Sequence, residues 1–159
     1  MLKQLAFAAA AVAAVVSTPV AAQSFGPPGT YVLSGPVTIH STHSTTCTVT
    51  INVAVSLAGA ATVTSRSLSG GAGCGPLAAP YGTWMLAPGP GSGAVTLTMG
   101  VSPAHNCYGA VQASLTVMPT YSRIDLPFAY LPLIGSAGNG CAIATGSTLY
   151  SNAPLSVIP

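Results

Sequence analysis

The stretch Cys47-Thr48-Val49-Thr50-Ile51-Asn52-Val53-Ala54-Val55-Ser56-Leu57 alternates without a break. Successive side chains of a strand point to opposite faces. One face therefore carries Cys47, Val49, Ile51, Val53, Val55 and Leu57, and the other carries Thr48, Thr50, Asn52, Ala54 and Ser56. This is the pattern of a strand with one buried face. The period recurs at Val95, Leu97 and Met99, at Val111, Ala113, Leu115 and Val117, and at Ile124, Leu126, Phe128 and Tyr130. Weaker candidates cover 30–34, 36–40, 61–68, 82–87, 142–149 and 154–158. Gly- and Pro-rich breaks separate them: Gly70 to Gly73, Ala87 to Gly93, Ser102-Pro103 and Gly135 to Gly140. After residue 22 no segment holds a helical period. Short strands at regular spacing predict an all-β domain, a sandwich or a barrel-like Greek-key domain, expected as an antiparallel β-sandwich of Greek-key or jelly-roll type.

The four cysteines fall into a degenerate repeat. Gly35-Pro36-Val37-Thr38-Ile39 precedes Cys47, and Gly93-Ala94-Val95-Thr96-Leu97 precedes Cys107 at a similar distance. Each cysteine opens an alternating strand, then a turn, a returning strand, a Gly-rich segment and a second cysteine, Cys74 or Cys141. The ends of a hairpin lie side by side, which favours Cys47–Cys74 and Cys107–Cys141. Four cysteines allow three connectivities, and Cys74–Cys107 with Cys47–Cys141 is the competing one. By chain entropy each favoured bridge is worth roughly 3.5–4 kcal/mol. A zinc site would want close Cys-x-x-Cys pairs, and the sequence has none.

The compartment is read from the first residues. Lys3 precedes an apolar run from Leu5 to Val16, Pro19 follows, and Val20 and Ala22 are small residues suited to cleavage. This is the pattern of a secretory signal peptide over 1–22, cut between Ala22 and Gln23. The run is shorter than the about 20 apolar residues a membrane span requires. The expected mature chain, 23–159, is one extracellular domain without a transmembrane segment.

Charge is scarce. Only 3% of the 159 residues are charged, against about 25% in an ordinary domain. Beyond Lys3 the charged residues are Arg66, Arg123 and Asp125. Two arginines cannot neutralise a phosphate backbone, so nucleic acid is not an expected partner. Little charge repulsion holds copies apart, so self-association or contact with an apolar surface is the physical expectation.

The catalytic inventory is nearly empty, and no enzyme, cofactor or metal site is expected. Acid–base chemistry would have to come from Asp125, His40, His43 and His105. Glycosidase chemistry usually needs two carboxylates. No Gly-x-Ser-x-Gly elbow supports a serine nucleophile. His40 and His43 would fall on opposite faces of a strand, so shared metal binding needs a turn between them. Arg123 and Asp125 lie two apart, hence on one face, and predict a surface ion pair. Trp84 and Tyr81 are the candidate ligand- or surface-contact residues, although lone aromatics in a sandwich are more often core. The tyrosines at 31, 108, 121, 130 and 150 show no platform spacing.

The order of these features resembles the small secreted bacterial proteins of the PraB type, named for activation of alkane oxidation. The resemblance is carried by Gly35-Pro36-Val37-Thr38, the Cys47 strand, Ala61-Thr62-Val63-Thr64-Ser65-Arg66-Ser67-Leu68-Ser69-Gly70-Gly71, Cys74, Trp84, Cys107 and Cys141. It implies an extracellular protein linked to biofilm matrix, surface adhesion and growth on hydrophobic substrates, with no catalytic residues to transfer. The resulting expectation is a structural or adhesive matrix component that associates with itself, matrix components or apolar surfaces. Gln23 to His40 is a candidate exchanged strand in such self-association. The alternative is a soluble binding module for an apolar ligand or a glycan.

Overall fold

The computed structural model describes residues 23–41, 43–71, 74, 79–102, 107–134 and 140–159. The expected signal peptide and His105 lie outside them. The strands are β1 (Ser24–Gly26), β2 (Gly29–His40), β3 (Ser44–Val55), β4 (Ala61–Gly70), β5 (Ala79–Pro80), β6 (Met85–Pro88), β7 (Ala94–Ser102), β8 (Cys107–Val117), β9 (Ser122–Leu126), β10 (Ala129–Leu131), β11 (Cys141–Ile143), β12 (Ser147–Ser151) and β13 (Ser156–Ile158). Every pairing among them is antiparallel.

The order of pairing corrects the expected sandwich. β9 and β10 are two parts of one line interrupted at Pro127, and β11 and β12 are two parts of another interrupted around Gly146. β10 pairs β11, β9 pairs β12, and both β11 and β12 pair β2. In the larger sheet, which excludes β1 and β13, taking each interrupted line, and β5 with β6, as one strand leaves eight strands, each lying next to its chain neighbour. β2 accepts β3 along one edge and the β11/β12 line along the other, so the first and last strands of this meander join. One sheet thus curls on itself as a nearly closed up-and-down barrel, in place of two Greek-key layers. Among the described residues, one step is not hydrogen-bonded: β4 packs beside β5 and β6 without pairing to either.

Inward and outward rows follow the sequence alternation. Leu33, Val37, Val49, Ile51, Val53, Val95, Leu97, Met99, Ile124 and Leu149 are buried, and they fill the barrel. An eight-stranded barrel has an interior of about this capacity. The outward rows of β3 and β8 hold Thr48, Thr50, Asn52, Gln112, Ser114 and Thr116. Apolar side chains inside and hydroxyls outside are the inverse of a membrane-spanning barrel. Leu57, read as the end of the first apolar face, lies past β3 in a turn and is 95% exposed.

The two weak candidates at 30–34 and 36–40 fuse into β2, with Pro36 inside it. Proline cannot donate to a ladder. It is tolerated because pairing to the β12 side stops at Ser34 and resumes with β11 at Ile39. Gly35 faces the crossing backbone: a Cβ there would lie 2.1 Å from the Thr148 carbonyl oxygen. The Gly-Pro pair is therefore set by the interruption in the neighbouring line.

Both barrel ends are tied. At one end β1 pairs β13 and buries Phe25 and Leu155. Ser122 Oγ donates to the Leu155 carbonyl at 2.8 Å and accepts from the Leu155 amide at 2.8 Å. The Ser122 amide donates to Ser151 Oγ at 2.6 Å. At the other end lie the disulfides Cys47–Cys74 and Cys107–Cys141, the connectivity favoured from the hairpins. In the single chain β1 pairs β13 and β2 pairs β3, so the Gln23 to His40 segment completes its own barrel.

Candidate functional site

The second half of the barrel carries an outward aromatic strip. Along β9, Ser122, Ile124 and Leu126 are buried while Arg123 is exposed and Asp125 half-buried. Continued alternation would bury Phe128 and Tyr130 with Ile124 and Leu126, as the sequence period implied. The structure corrects this. Pro127 interrupts the ladder and the chain re-enters it one position out of phase, so Leu131 is buried and Phe128 and Tyr130 are exposed. A one-residue slip exchanges the two faces of a strand. Tyr130, at 72% exposure, is the most exposed of the described aromatic side chains. The rings of Phe128 and Tyr130 meet edge to face with centroids 4.9 Å apart.

At the other end of the same line, Tyr121 lies 6.0 Å from Tyr150 on β12. The register of β9 and β12 explains the meeting, since Tyr150 pairs with Arg123. From Tyr121 to Tyr130 the strip runs about 30 Å at the usual rise of a strand. Arg123 and Asp125 occupy its middle. Arg123 Nη2 lies 2.7 Å from Asp125 Oδ1, and Nε donates to the same oxygen at 2.8 Å. Thr148 Oγ1 donates to it as well, at 3.2 Å. The hydrogen bond to Asp125, then its charge, raises the pKa of the Arg123 guanidinium above its ordinary value. The predicted ion pair is therefore present, and it leaves the strip with no net charge.

Beside Asp125 is an open dent of roughly 450 Å³. It forms because β8 pairs β9 from Val117↔Ser122 to Ser114↔Asp125 and then parts from it. β8 meets the line again at the Cys107↔Leu133 bridge. Gln112, Ser114, Asp125, Pro127 and Thr145 are among its lining residues.

Trp84 and Tyr81, the expected contact residues, lie elsewhere. Trp84 is 2% exposed, so it is a core side chain and not a ligand contact. Its indole N–H donates to the Gly100 carbonyl at 3.0 Å and the Tyr81 carbonyl at 3.1 Å. The latter shows what Tyr81 contributes: a backbone acceptor, under a half-buried side chain. His40 and His43 flank the β2–β3 turn. Among the described residues no group of three His, Cys, Asp or Glu side chains comes together.

The strip was missed because its halves are far apart in sequence or hidden in an apparent core period. Tyr121 and Tyr150 meet only through the β9–β12 register. Pro127 was the available signal, since a proline inside an alternating run marks an interruption.

The family described as alkane oxidation protein activator PraA/PraB-like has a sequence model that matches residues 1–159. No curated protein and no solved structure matches the chain.

Proposed function

The chain belongs to the alkane oxidation protein activator PraA/PraB-like family, and from that membership we propose a non-catalytic extracellular protein that adheres to apolar surfaces within a matrix. The observation that carries this reading is the aromatic strip: Tyr121, Tyr150, Phe128 and Tyr130 are exposed together on one outward face. Exposed aromatic side chains gathered on one face point to an interaction surface. Its one ion pair is internally neutralised, so approach to an apolar phase requires no separated charge to lose its water. Two disulfides fit an oxidising compartment outside the cytoplasm, in agreement with the signal peptide expected at 1–22.

Partition of the mature protein onto hexadecane droplets tests the proposal. The double variant Phe128→Ser with Tyr130→Ser removes about 200 Å² or more of aromatic surface and is expected to weaken partition at least about tenfold. Leu57→Ser, which removes an exposed apolar side chain from a turn off the strip, is the control. Equal losses in the two variants would show nonspecific apolar contact and sink the proposal.

A further inference from the structure

The dent beside Asp125 offers chemistry that the strip does not use. Asp125 is the sole carboxylate side chain of the sequence. Its Oδ1 accepts from Arg123 and Thr148, and its Oδ2 takes none of these bonds. Gln112 accepts the Thr96 hydroxyl at Oε1, 3.1 Å away, so its amide N–H groups stand outside that bond. Ser114 is the register partner of Asp125 and brings a hydroxyl that can both donate and accept. Acceptor, donor and hydroxyl thus line one hollow, with Pro127 and Leu126 as apolar wall.

The balance of these groups selects among ligands. An anion would meet the carboxylate, and Arg123 is already bound to it. A calcium ion takes six to eight oxygen ligands and favours several carboxylates. An alkane would strip water from Asp125 and Gln112 and return no hydrogen bond. A neutral polyol satisfies all three conditions. One hydroxyl of a vicinal pair donates to a carboxylate oxygen while its neighbour accepts from the glutamine amide. The ring's C–H face can lie on Pro127. The volume, roughly 450 Å³, falls at the lower end of small-molecule sites, which span about 300–1,000 Å³. That is room for one or two sugar rings.

We infer that this dent binds neutral sugar units of an extracellular polysaccharide. The inference rests on the adhesive reading for its setting, but it uses Gln112, Ser114 and Asp125 and none of the strip aromatics. The protein would then hold an apolar surface and a matrix glycan on adjoining parts of one face.

The test is a titration of the mature protein with maltose, cellobiose and lactose at millimolar concentration, followed through backbone amide resonances. The expected result is shifts at Gln112, Ser114, Asp125 and Thr145 with at least one of the three sugars, weakened about tenfold in Gln112→Ala and in Ser114→Ala, each of which deletes a hydrogen-bonding group. Absence of shifts with all three sugars overturns the inference. So do equal shifts with glycerol, or shifts confined to Tyr121 and Tyr150. Gln112→Ala should leave hexadecane partition unchanged. Failure of the strip variants on droplets with sugar shifts intact would therefore count against the adhesive reading alone.

Discussion

The barrel's two halves start alike and close differently. In each half a strand with glycine at or just before its start leads through a second strand, headed or entered by a cysteine, to a third: β2, β3, β4 and then β7, β8, β9/β10. In each, a disulfide ties the second strand to the chain beyond the third. The step that follows is paired in the second half, from Tyr150↔Arg123 up to Leu131↔Cys141. In the first half β4 has no such partner among the described residues. The contrast lies in one inward position of the third strand. Ile124 stands opposite Leu115 on β8 and Leu149 on β12, and all three are buried. Arg66 stands opposite the buried Ile51, on the same face, and is exposed. A register irregularity beside Asn52 and Val53 sets this phase, with Thr64 the extra residue of β4. A guanidinium does not join a core without a partner, and the barrel is open along the strand that carries this one.

The same features protect that edge. An unpaired strand invites strand addition, and natural proteins oppose it with bulges and inward-pointing charges. The low charge of the sequence had implied an unprotected chain, but β4 carries both devices. Two copies meeting antiparallel along β4 would bring each Arg66 near its counterpart, with no carboxylate side chain left to offset them.

Four variants test the contrast, taken from the largest effect down. Ile124→Arg places a charge at the inward position of the closed step, and it should lower unfolding free energy by about 4 kcal/mol or prevent folding. Denaturant unfolding with a midpoint near wild type would refute the explanation. Replacing each disulfide by alanines comes next. The bridged separations are 27 and 34 residues, for which chain entropy gives losses of about 3.5 and 3.8 kcal/mol. Near-equal losses would show that both bridges act on the unfolded chain alike. A much smaller loss for Cys47→Ala with Cys74→Ala would show that the open step gains little from its bridge. The smallest effect on stability belongs to Arg66→Ile, expected within about 0.5 kcal/mol of wild type because the site is exposed. Its signature is association: sedimentation velocity should show dimers or larger species. A strictly monomeric variant would mean that Arg66 does not guard the edge.

Much of the first half was legible in the sequence. The Cys47 to Val55 alternation, the Gly-rich turns and the cysteine repeat are local patterns, and they yielded antiparallel strands and the observed disulfide connectivity. Arg123 and Asp125 were placed on one face by spacing alone. The candidate site was less legible. Trp84 and Tyr81 are aromatics beside a Gly-rich segment, but burial decides whether an aromatic side chain can make contacts, and Trp84 is in the core.

The sequence by itself determined what depends on neighbours in the chain: where the long strands run, which side chains alternate, and which cysteine pairing a hairpin favours. Tertiary structure decided what depends on closure. Only when β2 accepts the β11/β12 line does one sheet become a barrel, and only then does Gly35 meet Thr148. Only the shift of phase at Pro127 turns Phe128 and Tyr130 outward, and only the β9–β12 register joins Tyr121 to Tyr150. The physical reason is that alternation fixes that a strand has two faces, while the partner strands fix which face is inside.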